Sequence, residues 1–347
     1  MFCIQQCTVA QYLASLVNTN SSQFLIDTIN VSPTLACFSS QDHPTVKAKA
    51  HLTQAGDAEA LRKAMKGLGT DEDTIVDVLT SCNSDQRQLL YQQYNRAYDR
   101  DLTKDLKKEL SGNLEDIIMA LMTSHKDYLA QELHHACKKK NGRVIVEILC
   151  TADNSLIKSI KSSYERLFDT SLEESLTKAT SDVFEEVMLK VVEAKRSALI
   201  NEQLAHSIAK DLYNDGKDLD EAEVVKALSS YSYEELRSAF VEYYKLAGRT
   251  LGETFDSQYT GSTRTNMRAL FDCLENRAEF FAQSFHKALA GPGTKDEDLI
   301  RLIVSRCEVD LGNIKEEYHK VYSKSLAEDV KADTSGAYRK AALALLD

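Results

Sequence analysis

Apolar residues recur along this chain at helical spacing. In DAEALRKAM, Ala58, Leu61, Ala64 and Met65 fall on one helical face, and in TIVDVL the stripe resumes with Ile75, Val78 and Leu79. The pattern predicts amphipathic helices joined by short turns. Only 3 prolines and 13 glycines interrupt 347 residues rich in Ala, Leu, Glu and Lys, so the expected fold class is all-α. No stretch approaches the ~20 apolar residues of a membrane span. The opening MFCIQQCTVAQYLASLV lacks the basic start of a signal peptide, so no secretory routing is expected.

The helical pattern repeats. YNRAYDRDLTKDLKKELSG (94–112), YERLFDTSLEESLTKATSD (164–182), YYKLAGRTLGETFDSQYTG (243–261) and YHKVYSKSLAEDVKADTSG (318–336) align without gaps. Each opens on a tyrosine: Tyr94, Tyr164, Tyr243 and Tyr318. Eight residues later each has a leucine, Leu102, Leu172, Leu251 and Leu326, and nine further on a hydroxyl residue, Ser111, Ser181, Thr260 and Ser335. A period of 70 to 79 residues accommodates about five helices, a small bundle. The repeated Tyr and Leu read as core packing. The units are placed at 47–125, 126–197, 198–276 and 277–347, behind a separate N-terminal head, 1–46.

Charge narrows the partners. Against 53 acidic residues stand 42 basic ones, a net charge of -11, and no basic stripe runs along any predicted helix, so nucleic acid is not expected as a partner. An anionic membrane would be repelled unless a cation bridged the two surfaces. The 8 cysteines are scattered, most of them within apolar helical patterns, and read as reduced cytosolic thiols.

Two units carry a loop with metal chemistry. Met65-Lys66-Gly67-Leu68-Gly69-Thr70 and Leu289-Ala290-Gly291-Pro292-Gly293-Thr294 each join two amphipathic helices. Thr70 opens T-D-E-D and Thr294 opens T-K-D-E, read here as N-cap threonines in capping boxes. Two glycines one residue apart permit positive φ and leave carbonyl oxygens uncovered, part of the six to eight oxygens that calcium takes. Glu109 lies 44 residues after Met65, and Asp333 lies 44 after Leu289. Each acid can complete a shell.

This combination, [ML]-x-G-x-G-T followed by a distant acid before a Ser-Gly turn and embedded in four repeats, resembles the annexin calcium site. The resemblance covers residues from about 47 to 347. It implies four annexin repeats of about five helices each, forming a slightly curved disc whose convex face meets the membrane. It further implies that the carbonyls of Met65, Gly67 and Gly69 with the Glu109 carboxylate hold one Ca2+, and those of Leu289, Gly291 and Gly293 with Asp333 a second. Lipid phosphoryl oxygen and water would complete each shell. Thr70 with Glu72, Thr294 with Asp296, and Glu115 resemble the family's weaker auxiliary positions, though capping or surface roles are the plainer reading.

The other two units depart from the pattern. The second reads Cys137-Lys138-Lys139-Lys140-Asn141-Gly142, two residues short, with Ala179 at the acid position. Its lysines read either as a solvated turn or as direct contacts to lipid headgroups. The third reads Leu212 to Asp220, about three residues short, with Gln258 at the acid position. Asp215, Asp218 and Asp220 there read as solvated charge. Many annexin repeats carry an arginine ending the helix after the loop; here those positions are Cys82, Ala152, Tyr231 and Arg306. This puts in doubt a polar central channel of the family's kind and makes Arg306 a buried, paired arginine.

In the head, Val9, Tyr12, Leu13, Leu16 and Val17 form one apolar stripe. By the resemblance it binds a small EF-hand protein; the plainer reading packs it on this protein's own core, and Cys3 and Cys7 suit crosslinked self-association. No enzyme constellation is present: there is no G-x-S-x-G, H-E-x-x-H or paired C-x-x-C, and His134-His135 beside Cys137 should point in different directions. The expected function is calcium-dependent binding to acidic phospholipid membranes and membrane organisation, without enzymatic activity. The protein would be cytoplasmic, peripheral on membranes when calcium rises, and open to unconventional export. The alternative is an adaptor acting through its head or by oligomerisation, with decayed membrane sites.

Overall fold

The computed structural model describes residues 42–347 apart from 51–52, 68, 198–200, 202 and 292. The head stripe and Cys3, Cys7 and Cys37 lie outside the described residues. Among the described residues every regular element is helical. The first group comprises α1 (Gln54–Ala64), α2 (Glu72–Thr80), α3 (Ser84–Tyr98), α4 (Leu102–Glu109) and α5 (Gly112–Met122). The second comprises α6 (His125–Lys139), α7 (Gly142–Leu149), α8 (Asn154–Phe168), α9 (Leu172–Ala179) and α10 (Asp182–Val191). Then follow α11 (Leu204–Tyr213), a 3₁₀ turn at Asn214–Gly216, α12 (Glu221–Ser230), α13 (Tyr233–Ala247), α14 (Leu251–Gln258) and α15 (Gly261–Glu275). The fourth group is α16 (Arg277–Leu289), α17 (Asp296–Arg306), α18 (Leu311–Tyr322), α19 (Leu326–Asp333) and α20 (Gly336–Leu346).

The repeated residues have one structural reason each. Tyr94, Tyr164, Tyr243 and Tyr318 are buried, and each phenol finds a partner eleven residues on: Asp105, Ser175, Thr254 and Asp329. A buried hydroxyl without a partner would cost about 1–3 kcal/mol. Burial raises all four phenol pKa values. The leucines open α4, α9, α14 and α19 and are buried. The residue before each, Asp101, Ser171, Thr250 or Ser325, caps the helix by accepting a backbone N–H. On α2 the stripe is rotated slightly from expectation: Val76 is buried beside Ile75 and Leu79, while Val78 is only half-buried.

Guanidinium groups recur at the ends of the second helices, though the sequence positions differ. Arg306 is buried, paired with Asp310 (Nη2 to Oδ2 2.6 Å) and stacked over Phe281, the structural role expected of it. It also donates to Thr151, at the end of α7. Cys82 and Tyr231 lack the charge, yet their carbonyls accept from Arg87 and Arg196, which come from α3 and from the segment after α10. Arg87 is buried and also pairs with Glu308. Further charge is buried at Glu147, which accepts from Arg301 at 3.1 Å and from Ser284 at 3.1 Å. A cavity of about 50 Å³ is lined by His125, Glu147, Thr151, Arg301 and Arg306.

Packing joins the groups through α20 on α2, α10 on α12 and α7 on α15. In the last pair Gly142 is required by close approach, since a Cβ there would lie 2.2 Å from the Asn266 side chain. Residues 42–46, assigned above to the head, belong to the folded body. Asp42 pairs with Arg277, and His43 N–H donates to Asn313 Oδ1. The Thr45 hydroxyl donates to the Leu345 carbonyl at 2.6 Å. The cysteines Cys82, Cys137, Cys150, Cys273 and Cys307 are buried and free.

Candidate metal-binding loops

The two glycine loops adopt one conformation. Gly67 and Gly69 have φ of 121° and 87°, and Gly291 and Gly293 have 114° and 91°. Only glycine adopts these values without strain. A Cβ at any of the four would touch nothing, so what demands glycine is the backbone path. Both loops close with the same bond across seven residues, Asp71 N–H to Ala64 O at 3.0 Å and Lys295 N–H to Ala288 O at 2.9 Å. Gly67, Gly69, Gly291 and Gly293 are exposed, and Met65 and Leu289 anchor the loops in the core.

The capping-box reading of the threonines is corrected by the structure. The N-cap of α2 is Asp71, whose carboxylate accepts from Thr74 N–H; that bond and the Thr74 hydroxyl hold the Asp71 carboxyl below its usual range. The N-cap of α17 is Lys295. The threonines are thereby free to reach across the unit. Thr70 donates to Glu109 Oε2 at 2.6 Å, and Thr294 donates to the Asp333 carbonyl at 3.0 Å. Each bond spans 39 residues and brings the acid position to the loop.

Exposed glycine backbone in both loops, and in the first the Glu109 carboxylate bonded to Thr70, are donor types that a hard cation takes. Among the described residues no three His, Cys, Asp or Glu side chains converge as a metal cluster. A cation at either loop would take most of its protein oxygens from the backbone.

The second unit closes its turn across five residues, Asn141 N–H to Ala136 O at 2.8 Å, two fewer than the glycine loops. Lys138, Lys139 and Lys140 are exposed, and Lys140 has φ 52°. In the third unit Asn214, Asp215 and Gly216 all have positive φ, at 48°, 52° and 77°. There Gln258 ties the loop down, accepting from Leu219 N–H at 3.0 Å and donating to Asp218 at 3.2 Å. His134 stacks on Phe168, His135 is exposed and Cys137 is buried, so the three do diverge.

With the geometry in place, comparison with known proteins is informative. The sequence pattern of the family described as Annexin matches residues 56–121, 128–191 and 280–345. Annexin A13 of Mus musculus is 38% identical over 297 residues, covering 84% of this chain and 94% of that protein. Annexin A8 of Homo sapiens is 38% identical over 315 residues, covering 88% and 96%. Among solved structures, annexin III superimposes with a TM-score of 0.81 at 32% identity, covering 88% of this chain and 97% of that one. Calcium-bound annexin (Sm)1 gives 0.81 at 31%, covering 88% and 93%. The chain belongs to the annexin family, whose members are generally non-enzymatic proteins that bind phospholipid membranes peripherally in a calcium-dependent manner. No helix among the described residues is long and apolar enough to cross a membrane.

Proposed function

We propose that this chain binds acidic phospholipid membranes through two Ca2+ sites, in its first and fourth units, and so organises membrane surfaces from the cytoplasmic side. Met65, Gly67 and Gly69 carbonyls with Glu109 would hold one ion, and Leu289, Gly291 and Gly293 carbonyls with Asp333 the other. When bound, the ion supplies positive charge and vacant coordination positions for lipid phosphate oxygens. The protein's part is to hold its carbonyls uncovered on positive-φ glycines and to keep the acid beside them through the Thr70 and Thr294 bonds. The observation that carries the reading is the matching pair of loops, with φ values within a few degrees and the same closing bond. The calcium-bound state of annexin (Sm)1 supports it.

Sites with one carboxylate each bind calcium weakly in solution, at about 10⁻⁴–10⁻³ M. Lipid oxygen in the shell tightens metal binding by the same factor by which metal tightens lipid binding. Titration calorimetry with and without phosphatidylserine vesicles tests this. Tighter calcium binding with vesicles supports the reading, and equal affinity in both conditions sinks it.

A further inference from the structure

The second unit has lost the carbonyl loop and the acid, and in their place it carries fixed positive charge. Lys138 and Lys139 end α6, and Lys140 opens the shortened turn that follows. Ala179 stands 39 residues after Lys140, the offset that relates Thr70 to Glu109, and the residue before it is Lys178. By sequence position, lysines stand at and beside the places where the first and fourth units have a glycine loop and an anion. Lys140 holds its place in a left-handed conformation, φ 52°, that glycine adopts with less strain.

The turn also reaches the fourth unit. Lys139 Nζ lies 3.0 Å from Glu297 Oε2, in the first turn of α17 immediately after the fourth-unit loop. One open cleft of about 840 Å³ is lined by Lys104, Lys107 and Lys139 together with the acids Asp101, Asp116, Glu132, Glu297 and Asp298, and Lys138 and Lys140 stand outside it. Glu297 engages Lys139 and Glu174 engages Lys178, which leaves Lys138 and Lys140 as the exposed cations of the turn to which no acid is paired here.

We infer that the lysine turn of the second unit is a built-in, metal-independent contact for the phosphate of anionic phospholipid, set beside the fourth-unit calcium loop. It rests on the membrane reading above and supplies what that reading lacks in the second unit. A cation brought by the protein takes the place of one brought by calcium, so attachment gains a component that responds to salt and is indifferent to chelator.

The full chain is tested against vesicles of phosphatidylserine and phosphatidylcholine, in calcium and in chelator, over a series of salt concentrations. The variants are Lys138→Gln with Lys140→Gln, and the charge-keeping Lys138→Arg with Lys140→Arg. At about fivefold per basic residue near an anionic surface, the Gln pair should partition roughly 20-fold less and show a flatter salt dependence. The Arg pair should keep wild-type binding, and thermal melts should coincide. Wild-type partition by the folded Gln pair overturns the inference while leaving the calcium loops untouched. Vesicle binding that ignores calcium defeats the calcium reading, yet a Gln pair that then binds less still upholds the lysine contact. If the Gln pair keeps vesicle binding but loses self-association in light scattering, the lysines serve a second acidic copy of the chain and the inference fails.

Discussion

The first and third units place the same latch under different loops. In the first, Glu109 accepts from the Thr70 hydroxyl; in the third, Gln258 at the equivalent position accepts from the Leu219 backbone. Both bonds span 39 residues and tie the end of a fourth helix to the turn between the first two. The position opposite the loop is therefore a mechanical tie before it is a metal ligand. In the proposed reading, charge there together with positive-φ glycines adds the capacity for calcium. An amide keeps the tie and drops the charge. The second unit, with Ala179, has neither, and its turn closes on itself through Asn141 and Ala136.

The largest effect expected from breaking this contrast comes from Glu109→Gln with Asp333→Asn. The pair keeps side-chain size and removes the one anionic side-chain ligand proposed for each site. Sedimentation with phosphatidylserine vesicles should lose nearly all calcium dependence, while melting in chelator stays within a degree or two. Unchanged calcium dependence would move the sites elsewhere. Conversely, the second unit should gain a site if Lys138 to Lys140 are replaced by Lys-Gly-Leu-Gly-Thr and Ala179 by Glu. Calorimetry with vesicles should then count one more calcium per chain, and an unchanged count would mean that loop and acid are insufficient.

Smaller effects separate backbone from side chain. Gly67→Ala should weaken the first site by about 1–3 kcal/mol through strain at φ 121°. Gly142→Ala should leave calcium binding alone and lower stability by about 1–3 kcal/mol through overpacking against Asn266. Asn266→Gly should restore part of that loss, and its failure to do so would remove the steric explanation. Smallest of all, Gln258→Ala should cost about 1 kcal/mol of stability, the worth of a hydrogen bond, and leave vesicle binding unaltered. A marked loss of binding would mean that the third unit is a working site.

What was legible in the sequence is what local spacing controls. The repeated Tyr and Leu, the helical class and the shortened second turn all follow from residues close together in the chain. The threonines were misread because a hydroxyl's partner was sought three residues away, whereas it lies 39 residues on. The guanidinium groups at two helix ends were hidden for a similar reason: Arg87 and Arg196 deliver them where the sequence shows Cys82 and Tyr231. The head boundary fell five residues late because Asp42 and His43 gain their partners, Arg277 and Asn313, only in the folded body.

The 2.6 Å bond from the Thr45 hydroxyl to the Leu345 carbonyl ties the first residues of the folded body to its last helix. The body is in effect a ring closed without a covalent bond. A circular permutant that joins residue 347 to residue 42 by a few glycines and opens between the second and third units should preserve every helix, since Thr45 and Leu345 are already bonded at the seam. Such a rearrangement would put the two proposed calcium units in the middle of the polypeptide and leave the lysine turn near its new end. The order in which repeats emerge during synthesis is thereby separable from the order in which they pack.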